Sequence, residues 1–564
     1  MQVIKYLKAD RKRAGAIISL VCIAAGLVPL AILTFSPDPA RPYSISPVTL
    51  ASRDGTRIEA LVYTPLGIVG DVPGVVVGHG FTGNKRYMQP MSIELVKRGW
   101  IVVNIDFRGH GSSGGYIPAN RLDPILEDDM DAALDYLVGL GNVDRVGLVG
   151  HSMGGRAALG LAERKYGRVN ATVSIGMVNT AFNFTRIPNL LMGVGQLDQL
   201  FGQETELAFL RNYTGLSTVA LNTRYGTFAG GTACKVAIAP ATEHLAEPQN
   251  AALLQEMVEW FEQAFYGSVR WPVIITAPFL TASLLVTVAG TCCLVFVILV
   301  YLANALFKRE QSRPEREAVK AVSSARLACL SILACGIGLA MLFPMSPLFP
   351  AVLPVAMGHQ LFSILAGNAI GFLVIYYIFV MRGGARQRLD GLVGTMKGMC
   401  SPGPGRAACY GTLAAMVSAG AITLVMDWSA TTAVLTAREI GAALGMAITF
   451  FPFLLVKEFG LRAVQGRLAP SSRVVEYFKM AGIGCIIDNI ILVPIIIVTW
   501  QNPSHVVAFY ALSITVIIAF SVIQQLMTTW VYMHSGRNIV GSTVFLCIFY
   551  AWMIVNFFPF GLNA

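Results

Sequence analysis

Two hydrophobic rhythms divide the chain. Over about 45–268, short apolar runs alternate with mixed stretches of helical spacing. Elsewhere, apolar runs near 20 residues recur, each long enough to cross a hydrocarbon core of roughly 30 Å. Nine such runs stand out, at about 14–35, 273–305, 325–345, 353–381, 408–426, 433–456, 480–500, 506–531 and 539–559. The pattern predicts five parts: an N-terminal stretch 1–13, a transmembrane anchor 14–35, a Pro-rich linker 36–44, a polar domain 45–268, and a bundle of about eight helices over 269–564. The first run is longer than the 7–15 residues usual for the core of a signal peptide, so it reads as an uncleaved anchor.

Charge gives the bundle a direction. Lys5, Lys8, Arg11, Lys12 and Arg13 precede the first run. The loops 307–326, 382–406 and 457–479 carry five or six Lys and Arg each, whereas those around Ser346, Ser429 and Pro503 carry almost none. Basic loops stay in the cytoplasm. The expectation is therefore a multi-pass cell-membrane protein with a cytoplasmic N-terminus and an extracytoplasmic domain and C-terminus.

Composition agrees with this picture. Hydrophobic residues make up 55% of the 564, charged residues only 13%, and mean hydropathy is +0.61; soluble proteins carry about 25% charged residues. The net charge of +10 is accounted for by the basic loops, and no nucleic-acid motif accompanies it, so a nucleic-acid partner is not expected. Of ten cysteines only Cys234 lies in the polar domain, which excludes a disulfide inside it, and no CxxC pair or His/Cys cluster suggests a metal. No cofactor is expected, and the oligomeric state is open.

Within the polar domain, the runs 72–78 (VPGVVVG), 100–105 (WIVVNI), 145–149 (RVGLV) and 189–194 (NLLMGV) read as strands, with helical patterns at 91–98 and 127–137 between them. Strands alternating with helices predict an α/β domain with a mostly parallel sheet and helices on both faces. The third run leads into Gly150-His151-Ser152-Met153-Gly154-Gly155 and then a helix-like stretch, 156–164. Glycines without Cβ permit a sharp strand-to-helix turn that exposes the serine hydroxyl. The competing reading is a glycine-rich αβ turn with an incidental serine.

With strand and helix on either side, this segment resembles the α/β-hydrolase superfamily, in its branch of small esterases and serine peptidase-like members. The resemblance covers about 220 residues, and the membrane half resembles no assigned family. It implies a Ser-acid-His triad with Ser152 as nucleophile. It also implies an oxyanion loop at His79-Gly80-Phe81, whose backbone N–H at Phe81 would act with that of Met153. Asp106 and Arg108, in Asp106-Phe107-Arg108-Gly109-His110-Gly111-Ser112, match a turn common in these folds. Of the four histidines in the domain, only His244 follows the serine, just after the strand-like run 235–239, where the resemblance places the base. Asp198 is the one aspartate between them, in a G-x-x-D turn; Glu204 and Glu206 are the fallbacks.

These residues predict a serine hydrolase that cleaves ester, amide or thioester bonds of a lipid or other acyl-bearing small molecule at the outer membrane surface. The alternatives are an acyltransferase, or a transporter or receptor whose hydrolase-like domain only binds. The interval 178–188 is too short for a large lid; the stretch between Asp198 and His244 is longer. In the membrane half, Asp488 lies inside an apolar run, where a carboxylate marks function or a paired contact. His359, Gln360, Gln524 and Gln525 are further polar positions, and Arg438 with Glu439 reads as an interfacial pair. Sequons occur at Asn170, Asn183 and Asn212.

Overall fold

The computed structural model describes residues 2–35, 41–118, 122–178, 181–307, 324–341, 355, 358–381, 384–401, 403–426, 435–465, 472–489, 505–558 and 560–562. Helix α1 (Gln2–Phe35) leads into a hairpin of β1 (Tyr43–Ala51) and β2 (Arg57–Pro65). Then come β3 (Val72–Gly78), α2 (Gln89–Val96), β4 (Ile101–Ile105), a short β5 (Ile117–Pro118), α3 (Leu122–Gly139), β6 (Val143–His151), α4 (Met153–Arg164), β7 (Ala171–Ile175), β8 (Leu190–Gly195), α5 (Gln203–Thr214), β9 (Cys234–Ala239) and α6 (Ala251–Tyr266).

Eight strands form one sheet in the order β1-β2-β4-β3-β6-β7-β8-β9. From β4 to β9 neighbouring strands are parallel; β1 and β2 add an antiparallel edge. The central strands are apolar throughout because each is covered on both faces. One face packs Met130, Leu134, Leu161 and Phe209, from α3, α4 and α5. The other packs Leu95 from α2 with Met257 and Phe261 from α6, and continues into Leu30 of α1 and Leu280 of the next helix. The expected strands are present within a residue or two; β7 and the β1–β2 hairpin are additional.

The domain sits firmly on α7 (Ala277–Leu306). The first N–H groups of a helix lack intrahelical partners. Here Glu94 of α2 accepts from the N–H of Thr276 (2.7 Å) and Ala277 (3.1 Å) and from the Thr276 hydroxyl (2.9 Å). Lys97 donates to the carbonyl of Ile274, and Arg98 to those of Trp271 and Pro272. The guanidinium groups of Arg41, Arg98 and Arg270 lie 3.9, 4.6 and 4.1 Å from the Trp271 ring centre. Helices α1 and α7 then pack along their lengths, with Gly290 against Ile23 and Cys22.

Beyond α7 the described helices are α8 (Ser324–Ala340), α9 (Gly358–Ile375), α10 (Ala385–Cys400), α11 (Pro404–Met426), α12 (Ala437–Gln465), α13 (Arg473–Asn489), α14 (His505–His534) and α15 (Ile539–Phe557), followed by β10 (Gly561–Leu562). Among the described residues, six segments are long and apolar enough to cross a membrane: Gly15–Thr34, Ala277–Leu306, Phe362–Phe379, Pro404–Val425, Ala437–Gln465 and Ile539–Asn556. This corrects the expected nine. The expected run 325–345 appears as the 17-residue α8, and 480–500 is described only to Asn489, in a helix that begins with charged residues. The run 506–531 falls in α14, where most side chains up to 517 lie outside the described set.

Charged residues inside this bundle are paired. Asp488 meets Lys457 Nζ at 2.8 Å and accepts from Gln525 at 2.6 Å. Arg462 pairs with Glu458 at 2.9 Å, and Tyr550 donates to Gln524 at 2.8 Å. The contacts of Asp488 and of Tyr550 join different helices, as polar residues do in bundles, whereas Arg462 and Glu458 pair within α12. Arg438 and Glu439 do not form the expected pair. Arg438 donates to the carbonyls of Gly115 (2.8 Å) and Ser113 (3.3 Å), while Glu439 accepts from the N–H and hydroxyl of Thr436 at the start of α12. The side chains of His359 and Gln360 lie outside the described set.

Candidate active site

Strand β6 ends in His151 and α4 begins at Met153, so Ser152 is the whole turn between them. Its backbone has φ 52° and ψ −114°. Few residues other than glycine tolerate this conformation, and it persists only where the surroundings enforce it. They do so here. The Ser152 N–H donates to the Ile175 carbonyl at 2.7 Å, and its carbonyl accepts from Arg156 at 3.0 Å. A Cβ on Gly154 would come within 2.4 Å of the Gly78 carbonyl oxygen, and one on Gly150 within 2.2 Å of the Gly154 carbonyl. Both glycines are therefore required sterically, one by the approach of α4 to β3 and the other by the tightness of the turn.

Asp198 and His244 are brought together. Asp198 follows β8 and accepts from the N–H groups of Leu200 (2.6 Å) and Phe201 (3.1 Å) with one oxygen. Its other oxygen lies 2.7 Å from His244 Nδ1. Both side chains are buried. The fallback Glu204 is exposed, and Glu206 is buried on α5 with its carboxyl pushed up to about 7, by desolvation first and the Asp198 charge second. Gln199 accepts from the His244 N–H at 3.2 Å. His151, beside the serine, lies 3.0 Å through Nε2 from the His244 carbonyl, and the two rings are 4.7 Å apart. Gly176, after β7, touches the same group: a Cβ there would meet His244 Cε1 at 2.9 Å and His151 Nε2 at 3.0 Å.

The loop after β3 closes the other side. A Cβ on Gly80 would lie 3.3 Å from Ser152 Cβ and 2.9 Å from His151 Nδ1, so the Gly80-Phe81 backbone passes directly over the turn. Met153 heads α4, where helix geometry gives its N–H no intrahelical acceptor. The motif histidine His79 is buried and held near neutral: it accepts from the Phe107 N–H through Nε2 (2.9 Å) and donates through Nδ1 to the Gly80 carbonyl (2.7 Å). Burial, above all, depresses it to about 3. Asp106 binds Lys85 through both its N–H and its ammonium group, and burial's upward pull on this carboxyl is overcome mainly by that ammonium. Arg108 is held by Asp129 and Asp54, each at 2.6 Å.

Glu247, three residues after His244, is a buried carboxyl that the motif reading missed. One oxygen accepts from the Gly195 N–H at 2.6 Å; the other lies 3.6 Å from His244 Nδ1 and 3.4 Å from His151 Nε2. Burial, and then the Asp198 charge, push its pKa well above the carboxylate range. The i+3 spacing from a catalytic-type histidine was the available signal. His151, His244 and Glu247 also place ligand-type atoms within 4.8 Å of one another, a spacing compatible with a metal ion. His244 Nδ1 and His151 Nε2 in that group are already engaged with Asp198 and the His244 carbonyl. The sequon residues Asn170, Asn183 and Asn212 are all exposed on this domain.

A family described as "alpha/beta hydrolase fold" matches residues 73–218. Uncharacterized protein PA2218 of Pseudomonas aeruginosa is 32% identical over 146 residues, 25% of this chain and 38% of that protein. The sn-1-specific diacylglycerol lipase ABHD11 of Danio rerio is 32% identical over 120 residues, 20% of this chain and 36% of that protein. The chain thus spans less than two-fifths of either relative. Among solved structures, Est1E of Butyrivibrio proteoclasticus, with ferulic acid bound, is 18% identical, with 38% of this chain and 99% of that one covered and a TM-score of 0.31. XC6422 of Xanthomonas campestris, described as an a/b serine hydrolase without lid, is 18% identical, with coverages of 41% and 97% and a TM-score of 0.31. The chain therefore carries an α/β-hydrolase-like domain with a hydrolase-type site, joined to long apolar helices suited to a membrane.

Proposed function

We propose that this protein is a membrane-embedded serine hydrolase that cleaves acyl esters, of lipids or of other acyl compounds, at the membrane surface. The buried His244–Asp198 contact of 2.7 Å, beside the enforced turn at Ser152, carries the reading. Ser152 Oγ attacks the acyl carbonyl and passes its proton to His244, which hands it to the departing alcohol. Asp198 fixes the His244 tautomer and stabilises the imidazolium. The N–H groups of Phe81 and Met153 receive the charge that develops on the carbonyl oxygen; loss of one such donor typically costs about 2.7–4 kcal/mol. Water then releases the acyl group by the same route, and the site returns to its starting state.

Placement relative to the membrane is part of the proposal. The cytoplasmic side takes the N-terminus and the basic loops. Strand β10 pairs with β5 of the domain, so an even number of crossings separates Ala277 from Phe557.

The test is covalent labelling by a fluorophosphonate in detergent. The wild type should label and Ser152→Ala should not. A folded wild type that stays unlabelled would sink the hydrolase reading, and ligand binding and transport would then be the functions to assay.

A further inference from the structure

The far C-terminus returns to the domain at a loop that grips the oxyanion loop. Parallel pairing joins Gly561 to Ile117 and Leu562 to Pro118. Just before it, the Phe560 N–H donates to the Gly109 carbonyl at 2.7 Å, and the Phe560 carbonyl accepts from Ile117 at 3.0 Å. A Cβ on Gly109 would stand 2.5 Å from that carbonyl oxygen, so the fit leaves room only for glycine. Arg438, in the first turn of α12, clamps the same place: its guanidinium binds the Gly115 and Ser113 carbonyls and lies 4.1 Å from the Phe560 ring centre. Two separate pieces of the membrane half thus hold residues 109–117.

That loop in turn holds the backbone over Ser152. Phe107 donates to His79, His110 Nε2 contacts the Phe81 carbonyl, and Asp106 holds Lys85 by its N–H and its ammonium group. His79 and His110 stack edge to face at 4.8 Å. The contacts form a continuous path from Arg438 and Phe560, through Gly109 and His110, to Phe81.

We propose that the C-terminal segment and Arg438 are positioning elements for the oxyanion loop, so that the membrane half sets the competence of the hydrolytic site. This rests on the serine-hydrolase reading for its catalytic consequence. Donors that act in the transition state must be held within tenths of an ångström, and a misplaced one lowers kcat with little change in KM. Nothing on the path touches the acyl group except Phe81.

The test uses the full chain in detergent with three variants. Phe560→Pro removes the N–H that bonds Gly109, Arg438→Ala removes the clamp, and Arg438→Lys keeps a cation there. Toward p-nitrophenyl butyrate, the first two should lower kcat about 10- to 100-fold with KM within about two-fold, and Arg438→Lys should recover part of the loss. Hydrogen exchange read on the same samples should quicken in segments 79–84 and 106–117 and stay unchanged in β7 and β8. Unchanged exchange in those segments in both Phe560→Pro and Arg438→Ala overturns the proposal, as does a loss of kcat matched by faster exchange throughout the sheet. An unlabelled, inactive wild type would fail the hydrolase reading alone, because the exchange experiment decides by itself whether the membrane half holds the loop.

Discussion

Ser152 is held at φ 52° by a hydrogen bond on each side and by two glycines that leave the helix no other approach. Strain of this kind costs about 1–3 kcal/mol. Ser152→Gly should recover about 1 kcal/mol, a rise of a few degrees in Tm for a domain of this size, and should abolish labelling. An unchanged or lower Tm would mean that the turn is not strained. Glu247 invites a second substitution pair. Burial and the Asp198 charge push its pKa upward, which favours the neutral carboxyl, and a neutral carboxyl would donate a hydrogen bond there. Glu247→Gln should therefore keep most of the activity, while Glu247→Ala should lose about ten-fold or more in kcat, at the scale of one lost hydrogen bond to a charged group. Equal losses in the two variants would refute the donor role. Ser152, Asp198 and His244 could be singled out because each sits in a short turn with its own spacing, and the fold brings the last two into contact. Glu247 was overlooked: its i+3 spacing from His244 is common on any helical turn, and only the fold shows it buried against Gly195 and His151.

At the scale of elements, helix α4 rests on β3 through Gly154, with a Cβ-to-carbonyl distance that leaves no slack. Gly154→Ala should destabilise the domain by about 1–3 kcal/mol, the range of overpacking in a tight core; a denaturation midpoint matching wild type would remove that argument. The four strands read from the sequence were uniform apolar runs. Strand β7 escaped because Thr172 and Ser174 interrupt it, although both are fully buried. The β1–β2 hairpin escaped because β1 is an edge strand, largely exposed, with Pro47 inside it. In the bundle, hydropathy located helices but could not say that Asp488 faces Lys457. Breaking one partner of a buried pair typically costs about 3–5 kcal/mol, whereas replacing both with apolar residues is often neutral. Lys457→Met and Asp488→Asn should each lower the thermal midpoint in detergent, and Lys457→Met with Asp488→Leu should restore much of it. If all three behave alike, the pair contributes nothing to stability.

For the molecule as a whole, three buried histidines tie stability to pH. Burial depresses His79, His110 and His151 below the ordinary histidine value. All three resist protonation when folded and accept a proton when unfolded. Their contribution is complete above about pH 6.5 and is lost as pH falls, by up to about 1.4 kcal/mol per pH unit for each. Glu206 and Glu247, raised in the fold, pull the other way over the same window, so the histidine share is read as a difference: from pH 7 to pH 5 the His79→Asn variant should lose less of its midpoint than wild type. Equal changes in the two proteins would contradict this account. The sequence made the two-part organisation and the basic loops plain. It could not show how the parts are joined, because that depends on Glu94 finding the start of α7 and on three arginines meeting one indole.

The cap that Glu94 places on α7 has a kinetic meaning. Where α7 crosses a bilayer, as proposed, a domain bonded to its first turn cannot swing on a leash, and the Ser152 turn is carried at one height above the lipid. For a substrate dissolved in the membrane, encounter then becomes a search in two dimensions. The turnover rate should follow the number of substrate molecules per unit area of the leaflet, and diluting them with inert lipid should slow the enzyme even when the total amount in the tube is held constant.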